Sequence, residues 1–179
     1  MVTCANQHKH DLTVMVEAPS TLIFYYAAAA RLGAALTPNS ALVATQRLCS
    51  AAWVRAGRPE LAPNLEPMGV VSFLNHALNA ERVISVSDAG VAYGQGGDAV
   101  LIELCQAPTA ELADDWLALV MAAAALEVSV GVQVSGPATA LLDGAEAGRW
   151  RQLEAHDLAS VIVSANPAEA AANQCWLRP

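Results

Sequence analysis

Two strand-length apolar runs flanking a cappable helix constrain this chain more than any other feature. Ala99 to Leu104 (AVLIEL) is nearly continuous in apolar side chains, the pattern of a parallel strand covered on both faces. Thr109 then stands where it can cap a helix running to Leu126. Glu111, Asp114 and Asp115 fall in the first turns of that helix, where acidic side chains suit the dipole. Val128 to Val134 (VSVGVQV) supplies the next strand. Strand, helix and strand in this order predict an α/β domain.

The remaining segments extend the alternation. Asp11 to Ala18 reads as a strand closed by Pro19-Ser20, and Thr21 to Leu36 as a helix stopped by Thr37-Pro38-Asn39. Leu42 to Leu48 reads as a short strand, Ser50 to Ala56 as the helix after it, and Gly57 to Pro67 as a polar connection. Val70 to Asn79 looks helical and Arg82 to Ser87 (RVISVS) strand-like. After Val134, Glu146 to Ala155 reads as a short helix with Trp150 and Leu153 inward, and Leu158 to Ser164 as the last clear strand. The fold class expected is a layered α/β sheet, mostly parallel, with helices on both faces. It makes one compact domain over 1–179 or two half-units, 10–87 and 98–165, joined by the Gly-rich loop 88–97. A short echo, His10-Asp11-Leu12 against His156-Asp157-Leu158, is compatible with duplication and does not establish it.

Composition removes several classes of function. The net charge of -8, with Lys9 the single lysine, leaves no clustered cations for a nucleic-acid surface. The longest uncharged apolar stretch, Trp116 to Leu126, is far short of the roughly 20 residues that span a bilayer. The first ten residues carry no apolar run like that of a signal peptide. Four scattered cysteines (Cys4, Cys49, Cys105, Cys175) without such a signal point to reduced thiols and a cytoplasmic location. No CxxC or close Cys/His cluster suggests a structural zinc, and His8 and His10 lack a third ligand, so neither metal nor cofactor is expected.

The Gly-rich stretch Gly90 to Gly97 resembles a phosphate cradle only superficially. Such a cradle lies between a strand and a helix N-terminus, and here a strand follows. No GxSxG occurs, and His76 and His156 read as surface or helix-end residues. The chemistry then falls to thiols. Cys49 stands where the apolar stretch from Ala41 gives way to a helix ending at Gly57. A thiol there faces unsatisfied N–H groups, and Arg47 and Arg55 can favour its thiolate. The same position also fits a buried cysteine acting as a small hydrophobe. Cys105, at the carboxyl end of the Ala99 strand, is the second candidate thiol, because reactive groups in open α/β sheets gather at such ends.

Cys49-Ser50-Ala51-Ala52-Trp53-Val54-Arg55-Ala56-Gly57 resembles the Cys-x-Ala-Ala-x-x-Arg-Arg-Gly segment of the DsrE/DsrF/TusD/TusC-type sulfur-relay family. Asn64-Leu65, then Phe73-Leu74 through Ala80-Glu81-Arg82-Val83-Ile84-Ser85-Val86, is similar to that family's closing helix and "Asp-Arg-Val" strand. Ala99 to Pro108, Val128 to Leu142 and Trp150 to Val163 follow the order of its DsrF/TusC branch. The chain departs from the pattern at Ala56, in the shorter spacing from its first strand to Cys49, and at Ser164 to Asn166, where the second half has no cysteine. The resemblance implies a DsrE-like α/β fold and a sulfurtransferase-like carrier holding a persulfide on Cys49. Its partners would be sulfur donor and acceptor proteins, in a homo- or hetero-oligomer. Two alternatives stay open. One is a non-catalytic interaction subunit; the other is a small-molecule-binding module using Gln106, Ser135 and Thr139 near Cys105 and Pro137.

Overall fold

The computed structural model describes residues 12–17, 21–26, 44–61, 65–87, 90–144, 146–166 and 174–179. Ten strands occur among them: β1 (Leu12–Glu17), β2 (Thr21–Tyr26), β3 (Ala44–Cys49), β4 (Leu65–Met68), β5 (Arg82–Ser87), β6 (Gly90–Gly94), β7 (Ala99–Leu104), β8 (Ser129–Val134), β9 (Ser160–Val163) and β10 (Gln174–Leu177). The helices are α1 (Ser50–Arg55), α2 (Val70–Leu78), α3 (Ala110–Ala124), α4 (Ala140–Asp143) and α5 (Ala147–Ala155).

Pairing divides the strands between two sheets. The first runs β4-β3-β2-β1-β5-β6 and the second β10-β7-β8-β9. The second is wholly parallel, with Val100 opposite Val130 and Val132 opposite Val161. The first is mixed: β2, β3 and β4 are parallel, while β1 pairs antiparallel with both β2 and β5, and β5 with β6. The architecture is therefore mixed α/β, with a wholly parallel four-stranded sheet and a mixed six-stranded one, and most strand pairs among the described residues are parallel.

The second sheet follows its local signals closely. Val100, Ile102 and Leu104 are all 0% exposed, and full burial of such side chains is worth about 1.5–3 kcal/mol each. The Thr109 hydroxyl accepts the Leu112 N–H at 3.2 Å, which satisfies one of the orphan donors that start α3. α3 then buries Ala113, Trp116, Val120 and Ala123 toward the core, and α5 buries Trp150 and Leu153.

Three expectations need correction. Thr21–Tyr26 is a strand, not the start of a helix, because it zips antiparallel onto β1 from Glu17–Thr21 to Leu12–Tyr26. Its β-branched and aromatic residues suit that role. The rest of the expected helix, 27–36, lies outside the described residues, as do Cys4, His8 and His10. Residues 65–67, expected in a polar connection, belong to β4 beside β3. The Gly-rich stretch 90–97 contains β6. Its glycines are needed for close packing: a Cβ on Gly94 would lie 2.7 Å from the Trp176 backbone N, and one on Gly96 would lie 2.3 Å from the Leu78 carbonyl oxygen.

β10 stitches the two sheets together. It lies in the second sheet beside β7 and also packs against β5 and β6 of the first. Glu103, 1% exposed, accepts from Arg178 Nε at 2.8 Å and Nη2 at 2.7 Å and from Trp176 Nε1 at 3.1 Å. The Ser85 hydroxyl, in β5, accepts the Arg178 N–H and donates to its carbonyl, each at 3.1 Å. A buried carboxylate is tolerated only when paired and hydrogen-bonded. Here both conditions are met from two strands that the sequence separates by about seventy residues.

Candidate functional site

Cys49 ends β3 and is the N-cap residue of α1, at φ −53° and ψ 118°. It is half-buried and makes no side-chain capping bond. α1 has six residues, fewer than two turns, so few peptide dipoles line up behind the sulfur. Pairing explains which side chains reach it. Alternation along β3 puts Gln46 and Leu48 on one face and Arg47 and Cys49 on the other. In the parallel register Arg47 lies opposite Tyr25 of β2 and Glu66 of β4, and Cys49 opposite Met68.

The hydroxyl of Tyr25 is hydrogen-bonded to the Cys49 sulfur. Tyr25 is 5% exposed and stacks on Phe73 of α2, with centroids 4.2 Å apart and planes at 20°. Burial, and after it the neighbouring Cys49 sulfur, pushes the phenol well above its ordinary range, so Tyr25 keeps its proton. Sequence reading missed this residue, because it assigned residue 25 to a helix. Reading TLIFYY as a strand parallel to β3 would have placed Tyr25 on the cysteine's face.

The two arginines that flank Cys49 in sequence are held by carboxylates. Arg47 pairs with Glu66, its neighbour across the ladder. Arg55 grips Asp115 of α3 in a bidentate pair at 2.8 and 2.7 Å, with Glu111 at 3.2 Å. Burial acts against the charge on Arg55, and Asp115, Glu111 and the Cys49 sulfur outweigh it. Arg55 is thus within electrostatic reach of the thiol and ties α1 to α3.

The other thiols have different surroundings. Cys105 follows β7 and is half-buried. Burial first, and the Glu103 carboxylate second, raise its pKa, against weaker opposing effects of Arg178 and of a hydrogen bond with Ser135. Cys175, in β10, is 0% exposed, and burial pushes its thiol up to about 12. Near Cys105, Gln106 is half-buried, while the Thr139 hydroxyl donates to the Gly136 carbonyl at 2.8 Å and closes its own turn. His76 sits in the last turn of α2, and His156 caps the C-terminus of α5, exposed. Asp114 pairs with Arg149 at 2.6 Å.

Among the described residues no group of three or more His, Cys, Asp and Glu is placed to hold a metal ion, and no helix is long and apolar enough to cross a membrane. No family model matches the chain, nor does a curated protein or a solved structure.

Proposed function

We propose that this chain is a thiol-based sulfur carrier in which Cys49 takes up a sulfane sulfur as a persulfide, in the manner of the DsrE/DsrF/TusD/TusC-type proteins it resembles. The observation that carries the reading is the contrast among its thiols. Cys49 is half-buried at a strand–helix junction beside the Tyr25 phenol, whereas burial raises the pKa of both the similarly half-buried Cys105 and the fully buried Cys175. The thiolate is the nucleophile in sulfur exchange, so raised thiols are poor carriers near neutral pH.

The step balances without a cofactor. The Cys49 thiolate attacks the terminal sulfur of a donor persulfide R–S–SH. The donor S–S bond breaks, its electron pair leaves on R–S⁻, and Cys49 becomes Cys49–S–SH. The proton travels on the transferred sulfur, and an acceptor thiolate later repeats the exchange in reverse. Arg47 and Arg55 then act through the carboxylates that hold them, fixing the β3–α1 junction.

The test is to incubate native protein with inorganic polysulfide and map the added sulfur by mass spectrometry, with Cys49→Ser and Cys105→Ser beside wild type. A gain of one sulfur on Cys49 that survives Cys105→Ser and disappears in Cys49→Ser is the expected result. A folded protein with unmodified Cys49 overturns the reading. One observation favours the alternative of an interaction subunit: Ile162 and Val163, on edge strand β9, are 57% and 61% exposed. An unreactive Cys49 together with a self-association lost in Ile162→Lys would select it.

A further inference from the structure

We propose that strand β9 is a self-association edge, on which a second copy of this chain pairs antiparallel through its own β9 about a two-fold axis at Ile162. The inference goes beyond the sulfur reading and needs no property of Cys49.

The hydrogen-bonding groups of this edge have a fixed direction. β9 ends the parallel sheet, with β8 its one strand neighbour among the described residues. The Ser164 N–H donates inward to the Val134 carbonyl at 3.0 Å. Successive residues of a strand turn to opposite sides, so Ser160 and Ile162 also bond toward β8. Val161 and Val163 then turn their N–H and C=O groups outward. The Val161 N–H shows this directly, donating to the Glu154 carboxylate of α5 at 3.2 Å.

The edge also reads the same in both directions. Ser160-Val161-Ile162-Val163-Ser164 is symmetric about Ile162. In an antiparallel pair so centred, Ile162 meets its own copy, and Val161 exchanges two hydrogen bonds with Val163 of the second copy at each of two equivalent places. Ile162 and Val163 are 57% and 61% exposed and, by strand alternation, lie on opposite faces. The pairing covers both.

Charge says which partner fits. α5 packs on β9 and runs back along it, because only residues 156–159 join them. On the side of α5 toward α3, Arg149 is matched by Asp114 at 2.6 Å and Glu146 at 2.7 Å. Glu154 marks the opposite side, toward the β9 edge, and Arg151, three residues earlier, shares it. Both are exposed, and among the described residues neither has a partner of opposite charge. Arg151 reaches the Leu142 carbonyl at 3.3 Å, and Glu154 reaches the Val161 N–H. The two-fold axis sets a second α5 beside the first in the opposite direction, so Arg151 of each copy stands level with Glu154 of the other. The Val163 carbonyl of the second copy takes over the Val161 N–H, and the released Glu154 carboxylate meets that guanidinium. A partner of one charge would match only half of this surface. A second copy matches all of it, as an isologous contact requires.

The edge is short, so the contact belongs among the weak interfaces. Sedimentation velocity of the full-length chain from about 5 µM to about 500 µM covers the range in which such contacts assemble. The expected result is a reversible shift from monomer to dimer with rising concentration. Arg151→Glu and Glu154→Arg should each weaken the dimer about tenfold, the equivalent of two lost surface ion pairs. Mixed in equal amounts, the two variants should recover wild-type affinity as a heterodimer, because each chain supplies the charge that the other lacks. An unfolded chain could not recover, so mixing separates lost charge matching from lost folding. Ile162→Lys should abolish association and leave the thermal midpoint close to that of wild type. A wild type that stays monomeric throughout, a dimer that ignores all three substitutions, or a mixture no tighter than its components overturns the proposal. Failure of Cys49 to load sulfur would remove the carrier reading and leave this dimer standing.

Discussion

Both sheets end a parallel strand in or beside a cysteine that leads toward a helix, yet the two cysteines meet opposite surroundings. In the first sheet Cys49 receives a hydroxyl from Tyr25, with arginine–carboxylate pairs around it. In the second sheet Cys105 sits two residues beyond the buried carboxylate of Glu103, which adds to the effect of burial in keeping the proton on its sulfur. The backbone position is similar and the chemistry is not. What separates them is the neighbouring strand: β2 brings a neutral donor to Cys49, while the charge beside Cys105 is committed to locking β10 in place. A strand end offers a place for reactivity, and the side chains delivered by non-local pairing decide whether it is used.

The comparison can be broken most severely at the β10 lock. Arg178→Ala leaves Glu103 buried without its ion partner, and such a loss costs about 3–5 kcal/mol. A fall of that size in the urea unfolding free energy, with Cys175 becoming alkylatable in the folded protein, is the expected outcome. A change below about 1 kcal/mol would mean that water reaches Glu103 easily.

Alkaline pH should act almost as strongly. Above its ordinary value of 9.0 the Cys175 thiol loses its proton in the unfolded chain, while the folded chain retains it to about 12. The unfolded state binds fewer protons in that window, so stability falls as pH rises. By about pH 11 the loss attributable to this thiol is about 3 kcal/mol, with Tyr25 acting in the same direction. Denaturation curves at stepped pH check this, and Cys175→Ala should flatten the decline.

Glu103→Gln sharpens the contrast at smaller cost, because the amide still accepts from Trp176 and Arg178. Removing the carboxylate charge lowers the pKa of Cys105 and leaves Arg178 to lower it further. Cys105 alkylation at mildly alkaline pH should rise severalfold while Cys49 labelling holds steady. Smallest of all is the Arg55–Asp115 pair. Both groups are substantially exposed, so a double-mutant cycle should return a coupling of about 1 kcal/mol or less.

The sequence was most legible where structure is decided locally. The limits of β5 and β7 and the Thr109 cap could be read residue by residue, because periodicity and capping chemistry are carried by adjacent side chains. β2 could not, because an alanine-rich run follows it and its pairing with β1 and β3 makes it a strand. β6 and β10 were hidden for the same reason. Glycines 94 and 96 look like a flexible connection until Trp176, Leu78 and Ala80 pack against them. The site divides in the same way. The position of Cys49 at a strand–helix junction was visible in the sequence, whereas Tyr25, Glu66 and Asp115 reach it through pairings of distant segments.

The most direct measurement is the order in which the native thiols react near neutral pH, followed by timed isotope-coded alkylation and mass spectrometry. The account predicts that Cys49 reacts first, Cys105 well behind it, and Cys175 only as the protein unfolds. A native Cys105 that reacts as fast as Cys49, or a Cys49 that stays silent until unfolding, would contradict it.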